Sequence, residues 1–339
     1  MRYGLTEPSE KQRANLLGFP AQSSVLDEVA LLHRVVTNYQ IPAATACRFY
    51  ERGDSDIYRV TTKSVRYYLK VYRPPHTAAL AEAEARFVSD VADAGVVVVR
   101  PVRRLDGGFA SVVKALEGQR PVLLFAEAPP DRLAPINEGT CTELGAAIAR
   151  LHQATDGLDA DYDLPELDYD ELIRERLPYA EPYLPAADYA FLQEAAALLQ
   201  RRLSNEPRER PDFGLCHNDL VMCNIRYDMD AGVTLFDFGN ASYTFRAFEL
   251  SLAHRSAASQ APEDSPQLLD ALLAGYAGVI ALPLNLDQLL PAMRALSRLY
   301  WIGGVSASLP LRLGTEPLEG DIFDKAILSV REAMEVLAG

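Results

Sequence analysis

The feature that most constrains the fold is a change of hydrophobic period along the chain. Between residues 42 and 126, short runs alternate apolar and polar residues, with turn signals at Gly53, Gly107 and Gly118. From Asn137 onward, apolar residues recur every three to four positions, as in "TCTELGAAIARLHQAT". The pattern predicts an α+β protein of two lobes, with a small antiparallel β lobe before a larger, mainly helical lobe.

The length of the chain supports more than one structural unit, because 339 residues are too many for one small core. We predict a helical extension over residues 1–40, a β lobe over residues 41–127 and a helical lobe over residues 128–339. The boundary between the lobes is expected near residues 126–137, in "AEAPPDRLAPIN". One helix is predicted inside the β lobe, in the Ala-rich segment "TAALAEAEARFVSDVADAG", which ends at Gly95.

Charge and composition exclude several classes of partner. The net charge is −14 and the pI is about 4.9, which argues against a nucleic-acid partner because those proteins normally present a basic face. The longest apolar stretch, "ALLAGYAGVIALPL", is too short for a membrane span and contains Pro283. The beginning of the chain has no apolar signal region, and the four cysteines are scattered. We therefore expect a cytoplasmic protein with no membrane partner.

Polar residues interrupt two apolar runs in "LCHNDLVMCNIRYDMDAGVTLFDFGNAS", residues 215–242, which we predict to form two short strands. Asp219 lies in a turn, Asn224 follows five positions later, and Asp237 follows the next hairpin. Phosphoryl transfer needs a carboxylate beside the attacking hydroxyl, and Mg²⁺ prefers carboxylate and amide oxygens. The spacing predicts Asp219 as the catalytic base and Asn224 and Asp237 as metal ligands. An ordinary pKa near about 4 would make Asp219 a weak base, so positioning is expected to contribute more.

These motifs resemble those of a known enzyme superfamily. "CHNDLVMCNI" is similar to the H-G-D-x-x-x-x-N catalytic loop of the aminoglycoside phosphotransferase/choline kinase superfamily, and "LFDFGNA" to its metal-binding element. "LGAAIARLHQAT" is similar to the helix that precedes the catalytic loop. The resemblance implies a protein-kinase-like fold, ATP or GTP with Mg²⁺ as cofactors, and a small-molecule hydroxyl as the phosphate acceptor.

The resemblance also assigns nucleotide-binding residues to the β lobe. Lys70, on the third predicted strand, corresponds to the lysine that contacts the α- and β-phosphates, and Glu84 is preferred to Glu82 as its partner. The turn "ERGDSD" corresponds to the loop that covers the phosphates, where Gly53 permits a close backbone approach and Ser55 donates a hydrogen bond. The backbone from Phe125 to Glu127 is expected to face the adenine.

The chain departs from the superfamily pattern beside its functional residues. Asn218 stands where the superfamily often has Gly, Val221 where it often has His, and Gly239 where Asp is more usual. No departure removes a side chain that has a predicted role. His152 and His217 are each expected to be structural, the first in the core and the second as a brace of the catalytic loop.

The identity of the acceptor stays open in the sequence. Aminoglycosides, amino alcohols, homoserine and sugar-like alcohols are all acceptors of relatives, and an acidic run between residues 156 and 171 could attract a cationic one. Two alternatives are a Ser/Thr protein kinase of the bacterial stress-response type and a nucleotide-binding pseudokinase scaffold. Tyr300 and Trp301 either line the acceptor pocket or pack in the core. Monomer and homodimer are both compatible with the sequence.

Overall fold

A computed structural model describes residues 23–128, 135–158, 160–228, 232–308 and 322–338. The β lobe is one antiparallel sheet with the strand order β1-β2-β3-β5-β4. Its strands are β1 (Ala46–Arg52), β2 (Asp56–Thr61), β3 (Arg66–Val71), β4 (Ser111–Ala115) and β5 (Gly118–Ala126). A mainly helical lobe follows, so the predicted two-lobed α+β fold is confirmed.

The two faces of the sheet are covered by different helices. Tyr58 and Val60 alternate inward along β2 and pack with Leu31 of helix α1 (Glu28–Arg34). Helix α2 (Ala78–Asp93) begins where the Thr77 side chain accepts a hydrogen bond from the N–H of Leu80. It covers the other face with small side chains such as Ala81 and Ala85. These small side chains let the helix lie close to β5, the neighbour of the strand that carries Lys70.

A buried ion-pair network fixes the turn between β1 and β2. The carboxylate of Asp56, at the start of β2, is fully buried and accepts hydrogen bonds from Arg52 at 3.0 Å, Arg73 at 2.6 Å and Arg120 at 2.7 Å. Arg120 is itself fully buried and also donates to the carbonyl of Tyr72. Because these bonds join the ends of four strands, they hold the Gly53–Ser55 turn at a fixed place above the crevice.

The helical lobe is built around a pair of closely packed helices. Its helices, in the described part of the chain, are α3 (Glu138–Asp156), α4 (Tyr169–Arg176), α5 (Ala186–Leu203), α6 (Arg246–Ala258), α7 (Ser265–Ala277), α8 (Leu286–Ser308) and α9 (Ile322–Ala338). A Cβ added at Gly145 would lie 1.9 Å from the carbonyl oxygen of Leu272, and one at Gly275 would lie 1.9 Å from that of Thr142. Only glycine therefore allows α3 and α7 to cross at this distance.

The segment predicted as two strands instead forms parts of four, so that prediction is wrong. The strands are β6 (Phe213–Cys216), β7 (Ile225–Asp228), β8 (Gly232–Leu235) and β9 (Ser242–Phe245). They pair as two separate antiparallel ribbons, β6 with β9 and β7 with β8. Strands of four residues are too short to show a clear alternation in sequence. The ribbons nonetheless leave the loops before β7 and after β8 side by side.

Several predictions fall wholly or partly outside the described residues. The described part of the predicted 1–40 extension contains α1, while residues 1–22 lie outside it. Residues 129–134 of the predicted lobe boundary also lie outside. Among the residues that the structure describes, no helix is both long and apolar enough to cross a membrane.

Candidate active site

The loop between β6 and β7 turns sharply at Asn218. The backbone of Asn218 has φ +62°, in the left-handed region that Gly adopts freely and that Asn tolerates better than most residues. Its side-chain amide donates to the carbonyl of Ser242 at 3.2 Å and also to the hydroxyl of that residue. The geometry explains why Asn218 can stand where the superfamily often has Gly.

A buried glutamate of α6 holds the same loop from below. The carboxylate of Glu249 accepts hydrogen bonds from the backbone N–H of His217 at 2.6 Å and of Asn218 at 2.8 Å. Its other oxygen lies 2.6 Å from Nε2 of His152, whose Nδ1 lies 2.9 Å from the hydroxyl of Tyr276. Burial alone would raise the pKa of Glu249, but these partners bring it below its usual value. The loop between β6 and β7 is therefore anchored to α3, α6 and α7 together.

Asp219 projects from this loop into the space between the lobes. Its carboxylate accepts hydrogen bonds from the side-chain amides of Asn224 at 3.0 Å and Asn240 at 3.4 Å. Burial raises the pKa of Asp219 to about 7, with further contributions from the negative charges of Asp237 and Asp54. An ordinary carboxyl pKa was expected from the sequence, so the pKa of Asp219 in the folded protein is higher than expected.

His217 contacts the loop rather than the crevice. It is fully buried, its Nε2 lies 2.9 Å from the carbonyl oxygen of Phe236, and its Nδ1 accepts a hydrogen bond from the N–H of Asp219 at 3.2 Å. Burial lowers the pKa of His217, which favours the neutral ring. Both ring nitrogens are thus occupied in bracing the turn, which is the position expected of a structural histidine.

Lys70 of β3 lies between two carboxylates. Its Nζ is 2.6 Å from Oδ1 of Asp237 and 3.5 Å from Oε1 of Glu84. Burial opposes the charged amine, but these two carboxylates raise the pKa of Lys70 above its usual range. Lys70 in turn lowers the pKa of Asp237, whereas burial raises that of Glu84. The three residues form one coupled group at the wall of the crevice.

The turn after β8 has a conformation that suits the contact between Asp237 and Lys70. Asp237 has φ +67°, which points its carboxylate back toward β3. A Cβ added at Gly239 would lie 2.7 Å from Nζ of Lys70, so any side chain here would displace the end of the lysine from its present position. Glycine at this position, where the superfamily more usually has Asp, therefore leaves Lys70 in contact with Asp237.

The two glutamates that competed as partners of Lys70 have different positions. Glu84 faces Lys70 and also accepts a hydrogen bond from the hydroxyl of Tyr72 at 2.6 Å. Glu82 points away and accepts hydrogen bonds from the backbone N–H of Phe109 and of Ala110, the latter at 2.7 Å. The structure thus places Glu84 beside the lysine and uses Glu82 to fix the segment before β4.

The remaining predicted nucleotide contacts surround the crevice. Gly53 has no atom within 4 Å of an added Cβ, and its N–H donates to the carbonyl of Ser55 at 3.0 Å. Phe125 lies in β5 beside β3, and the side chain of Glu127 pairs with Arg66 at 2.6 Å. The N–H of Ala126 is already used by the carbonyl of Arg100 at 3.0 Å. The adenine contact predicted for Phe125 to Glu127 would therefore use backbone groups other than the N–H of Ala126.

The oxygen atoms around Asp219 and Asp237 suit a hard divalent cation. Asn224 donates its amide N–H groups to the carboxylate and carbonyl oxygens of Asp219, and its amide oxygen accepts a weak hydrogen bond from the thiol of Cys223 at 3.7 Å. Asp237 uses one carboxylate oxygen for Lys70 and lies partly exposed toward the crevice. One amide oxygen and one carboxylate match what Mg²⁺ takes from a protein when phosphates and waters complete its shell.

A second group of possible ligand atoms is already satisfied within the core. His152, Cys216 and Glu249 bring one nitrogen, one sulfur and one oxygen within 4.8 Å of one another, and all three residues are buried. Each of these atoms faces another member of the group, and His152 and Glu249 also bond to Tyr276 and to the loop amides. The thiol of Cys223 is exposed and lies outside this group. A structural hydrogen-bond network accounts for the cluster.

Sequence reasoning missed several residues that shape the site. Glu249 anchors the loop, Tyr72 binds Glu84, and Asn240 reaches Asp219. Asn240 could have been predicted from the sequence, because it lies three positions after Asp237 in the same turn. Glu249 sits 30 positions beyond Asp219 in an ordinary helical pattern, so no local signal marks it.

Comparison with known proteins gives a family and a fold. A model of the phosphotransferase enzyme family matches residues 46–296. An uncharacterized protein of Deinococcus radiodurans is 34% identical over 314 residues, which are 90% of each chain. The solved structure of the amicoumacin kinase hAmiN, in complex with AMP-PNP, Ca²⁺ and Ami, has a TM-score of 0.76 at 18% identity and covers 91% of this chain and 94% of its own. A microcompartment-associated aminopropanol kinase has a TM-score of 0.74 at 21% identity, with 92% and 97% covered.

Proposed function

The chain belongs to the phosphotransferase enzyme family, and from this premise we propose that it transfers the γ-phosphate of ATP or GTP to a hydroxyl group of a small molecule. The observation that carries the proposal is the convergence of Lys70, Glu84, Asp237 and Asp219 on one crevice. The amicoumacin and aminopropanol kinases, which have the same fold, support a small molecule as the acceptor.

In the proposed reaction, the acceptor oxygen attacks the γ-phosphorus while the bond to the β–γ bridging oxygen breaks, which releases the nucleoside diphosphate. The hydroxyl proton passes to Asp219, whose pKa of about 7 matches the transfer of a proton near neutral pH. Asn224 and Asn240 orient its carboxylate by their amide hydrogen bonds. Glu249 keeps the loop that carries Asp219 in place.

On the nucleotide side, Lys70 is the cation that binds the phosphates, and Glu84 with Tyr72 holds its side chain at the crevice. Asn224 and Asp237 would hold Mg²⁺, which neutralises the phosphate charge when bound. The Gly53–Ser55 turn would cover the phosphates, and Phe125 to Glu127 would border the adenine. AMP-PNP and Ca²⁺ in the amicoumacin kinase structure support a nucleotide and a divalent cation as cofactors.

The test is acceptor-dependent release of ADP or GDP by the purified full-length protein. Amino alcohols, aminoglycosides, sugars and homoserine are screened with each nucleotide and Mg²⁺. We expect at least one acceptor to give turnover, and Asp219→Asn to lower kcat by about 10²- to 10⁴-fold, the usual contribution of a general base. Binding of AMP-PNP should stay within about threefold of wild type, since positioning of the nucleotide rests on Lys70 and Asp237.

The control is Asp270→Asn, which changes an exposed carboxylate on α7 and should leave kcat unchanged. Undiminished turnover in Asp219→Asn would refute the role of Asp219. Labelled phosphate that appears on the protein itself, with no small acceptor present, would instead show a protein kinase. Nucleotide binding without any turnover would show a pseudokinase.

A further inference from the structure

The helical lobe contains a small polar cavity of about 30 Å³ between α6, α8 and α9. By the same measure a single water needs roughly 10–15 Å³, so the cavity has room for a larger polar group. The side chains that line it include Arg255, Arg294, Arg298, Ser265, Ser297 and Ser329. Four serine hydroxyls line the cavity, and those of Ser251 and Ser297 already donate to backbone carbonyls. The three guanidinium groups are the main potential donors, a composition that suits an anion.

Helical spacing brings these arginines together. Ser251 and Arg255 lie four positions apart on α6, and Arg294 and Arg298 lie four positions apart on α8, so each pair shares one face of its helix. The two faces meet at the cavity because α6 packs directly on α8. Three like charges at one place cost free energy unless an anion balances them.

Nothing in the described part of the chain pairs these arginines with a carboxylate. Arg298 donates to the hydroxyl of Ser329 at 3.2 Å, and Nε of Arg255 is buried without a hydrogen-bond partner. Burial, together with the charges of Arg255 and Arg294, lowers the pKa of Arg298 to about 10, while Glu332 opposes this shift. Glu332 is exposed on α9. Within the described residues, no carboxylate in ion-pair contact compensates this positive charge. Asp219 acts on Arg255, and Glu332 on Arg298, only from a longer distance.

His254 adds donors and acceptors to the wall without adding charge. Its Nε2 lies 2.9 Å from the carbonyl oxygen of Ser265 and 3.2 Å from the hydroxyl of the same residue. Burial lowers the pKa of His254, and the positive charges of Arg294 and Arg298 lower it further. The ring is therefore neutral, which is the state expected beside several guanidinium groups.

Arg255 connects the cavity to the catalytic carboxylate. Burial lowers its pKa, whereas the charges of Asp219 and of the Tyr300 hydroxyl raise it, so both groups lie within electrostatic reach of its guanidinium. The next residue of α6, Ser256, accepts a hydrogen bond from the N–H of Met222 in the catalytic loop at 2.9 Å. The cavity and Asp219 thus lie on neighbouring parts of the same helix.

A second cation lies on the same side of Asp219. The guanidinium of Arg176, at the end of α4, stacks on the ring of Tyr300 at 4.5 Å from its centroid. A Cβ added at Gly304 would lie 3.3 Å from Nη1 of Arg176, so a glycine of α8 makes room for this side chain. Within the described ranges Arg176, like Arg255, has no ion pair with a carboxylate. Arg176 therefore brings a positive charge to Tyr300, on which the carboxylates of Asp219 and Asp54 also act.

We propose that the acceptor is a hydroxyl compound that carries an anionic group, a carboxylate or a phosphate monoester, and that Arg255, Arg294 and Arg298 bind this group while its hydroxyl lies at Asp219. The proposal rests on the phosphotransferase function above and narrows its substrate class. Guanidinium groups bind carboxylates and phosphates in a two-point geometry that also fixes orientation. The bound anion supplies the charge that the cavity lacks.

The proposal disfavours a cation as the group next to Asp219. The acidic run between residues 156 and 171 suggested that negative charge attracts a cationic acceptor. An ammonium group in the cavity would instead meet three arginines. Like charges repel, and the half-buried guanidinium groups of Arg255 and Arg298 are screened less by water than the exposed one of Arg294. Of the acceptor classes considered from the sequence, homoserine is the one with a carboxylate.

The experiment compares hydroxyl compounds in pairs that differ by the anionic group. Glycerate and glycerol 3-phosphate are compared with glycerol. Homoserine is compared with homoserine amide, in which an uncharged carboxamide replaces the carboxylate. Binding is measured by calorimetry on Asp219→Asn protein saturated with Mg²⁺ and AMP-PNP, and turnover by ADP release from the wild type. We expect an anionic member to bind at least tenfold more tightly than its uncharged partner. Arg255→Gln and Arg298→Gln should each remove most of this preference.

Two controls keep a folding defect separate from lost recognition. Arg201→Ala removes an exposed arginine of α5 and should keep the preference for the anion. In the absence of ligand, Arg255→Gln and Arg298→Gln should unfold at the same temperature as wild type or higher, because each relieves repulsion in the cluster. Inorganic phosphate should raise the unfolding temperature of the wild type more than that of either variant.

The outcomes separate this inference from the proposed function. Equal binding of charged and uncharged partners, tighter binding of uncharged or cationic compounds, or binding of none overturns the proposal. The same holds if both Gln variants keep the preference, or if inorganic phosphate binds the cavity without competing with any anionic acceptor. An arginine-dependent preference without ADP release in the wild type would retain the anion site and refute the phosphotransferase function.

Discussion

Replacement of Glu249 by Ala should release the catalytic loop. Its carboxylate is fully buried and accepts the N–H groups of His217 and Asn218, so the variant leaves two buried donors without partners. Each unmet donor costs about 1–3 kcal/mol. His152 loses its partner at 2.6 Å as well. Removal of one member of a buried charged network typically costs about 3–5 kcal/mol, and we expect Glu249→Ala to lie in this range.

Hydrogen–deuterium exchange of the segment over residues 213–224 measures this effect where it arises. A loss of about 3 kcal/mol in the local opening free energy corresponds to exchange about a hundredfold faster. Glu249→Gln keeps an oxygen for both loop amides and an N–H for His152, so it should lose only the charge assistance, about 1 kcal/mol. Glu194→Ala, at an exposed position of α5, is the matched control. Wild-type exchange in this segment of Glu249→Ala would refute the anchoring role.

Two further predictions concern backbone positions at the site. Gly239→Ala places a methyl group 2.7 Å from Nζ of Lys70. We expect this variant to bind AMP-PNP about tenfold more weakly in a fluorescence titration, because the lysine must shift. Unchanged affinity for AMP-PNP would show that Lys70 can move freely. Asn218→Gly removes the strain of φ +62° whereas Asn218→Ala keeps it, and both lose the amide hydrogen bonds. Asn218→Ala should therefore be less stable than Asn218→Gly by about 1 kcal/mol in thermal unfolding, and equal unfolding temperatures would contradict this reasoning.

Residues that are close in sequence were the most accessible to prediction. Asp219 and Asn224 share one loop, so their convergence follows from a turn of five residues, and Asp237 lies at the end of the next ribbon. The contact between Lys70 and Asp237 spans 167 positions, and no periodicity predicts it. The resemblance to a known family assigned a role to each of these two residues, but the direct ion pair between them was not predicted.

The features that were not predicted are those that the local sequence pattern does not determine. The loop position of Asn218 was recognised as unusual, but its φ of +62° emerges only from the folded loop. The four short strands were missed because four residues show too few alternations to define a period. Arg255, Arg294 and Arg298 have the spacing of solvated helix positions, and only the packing of α6 on α8 turns them into the wall of one cavity.

The charge balance of the crevice links these observations to the cofactor. Lys70 carries a positive charge that directly contacts Glu84 and Asp237, and Asp219 adds a third carboxylate nearby. A nucleoside triphosphate would bring several more negative charges to the crevice beside these carboxylates. Its binding is favourable only if a cation accompanies it, because Lys70 is already shared between two carboxylates. A divalent cation at Asp237 would replace Lys70 as the partner of that carboxylate and leave the lysine available to the phosphates. Under the proposed function, the 2.6 Å contact between Lys70 and Asp237 would couple entry of the nucleotide to entry of the metal.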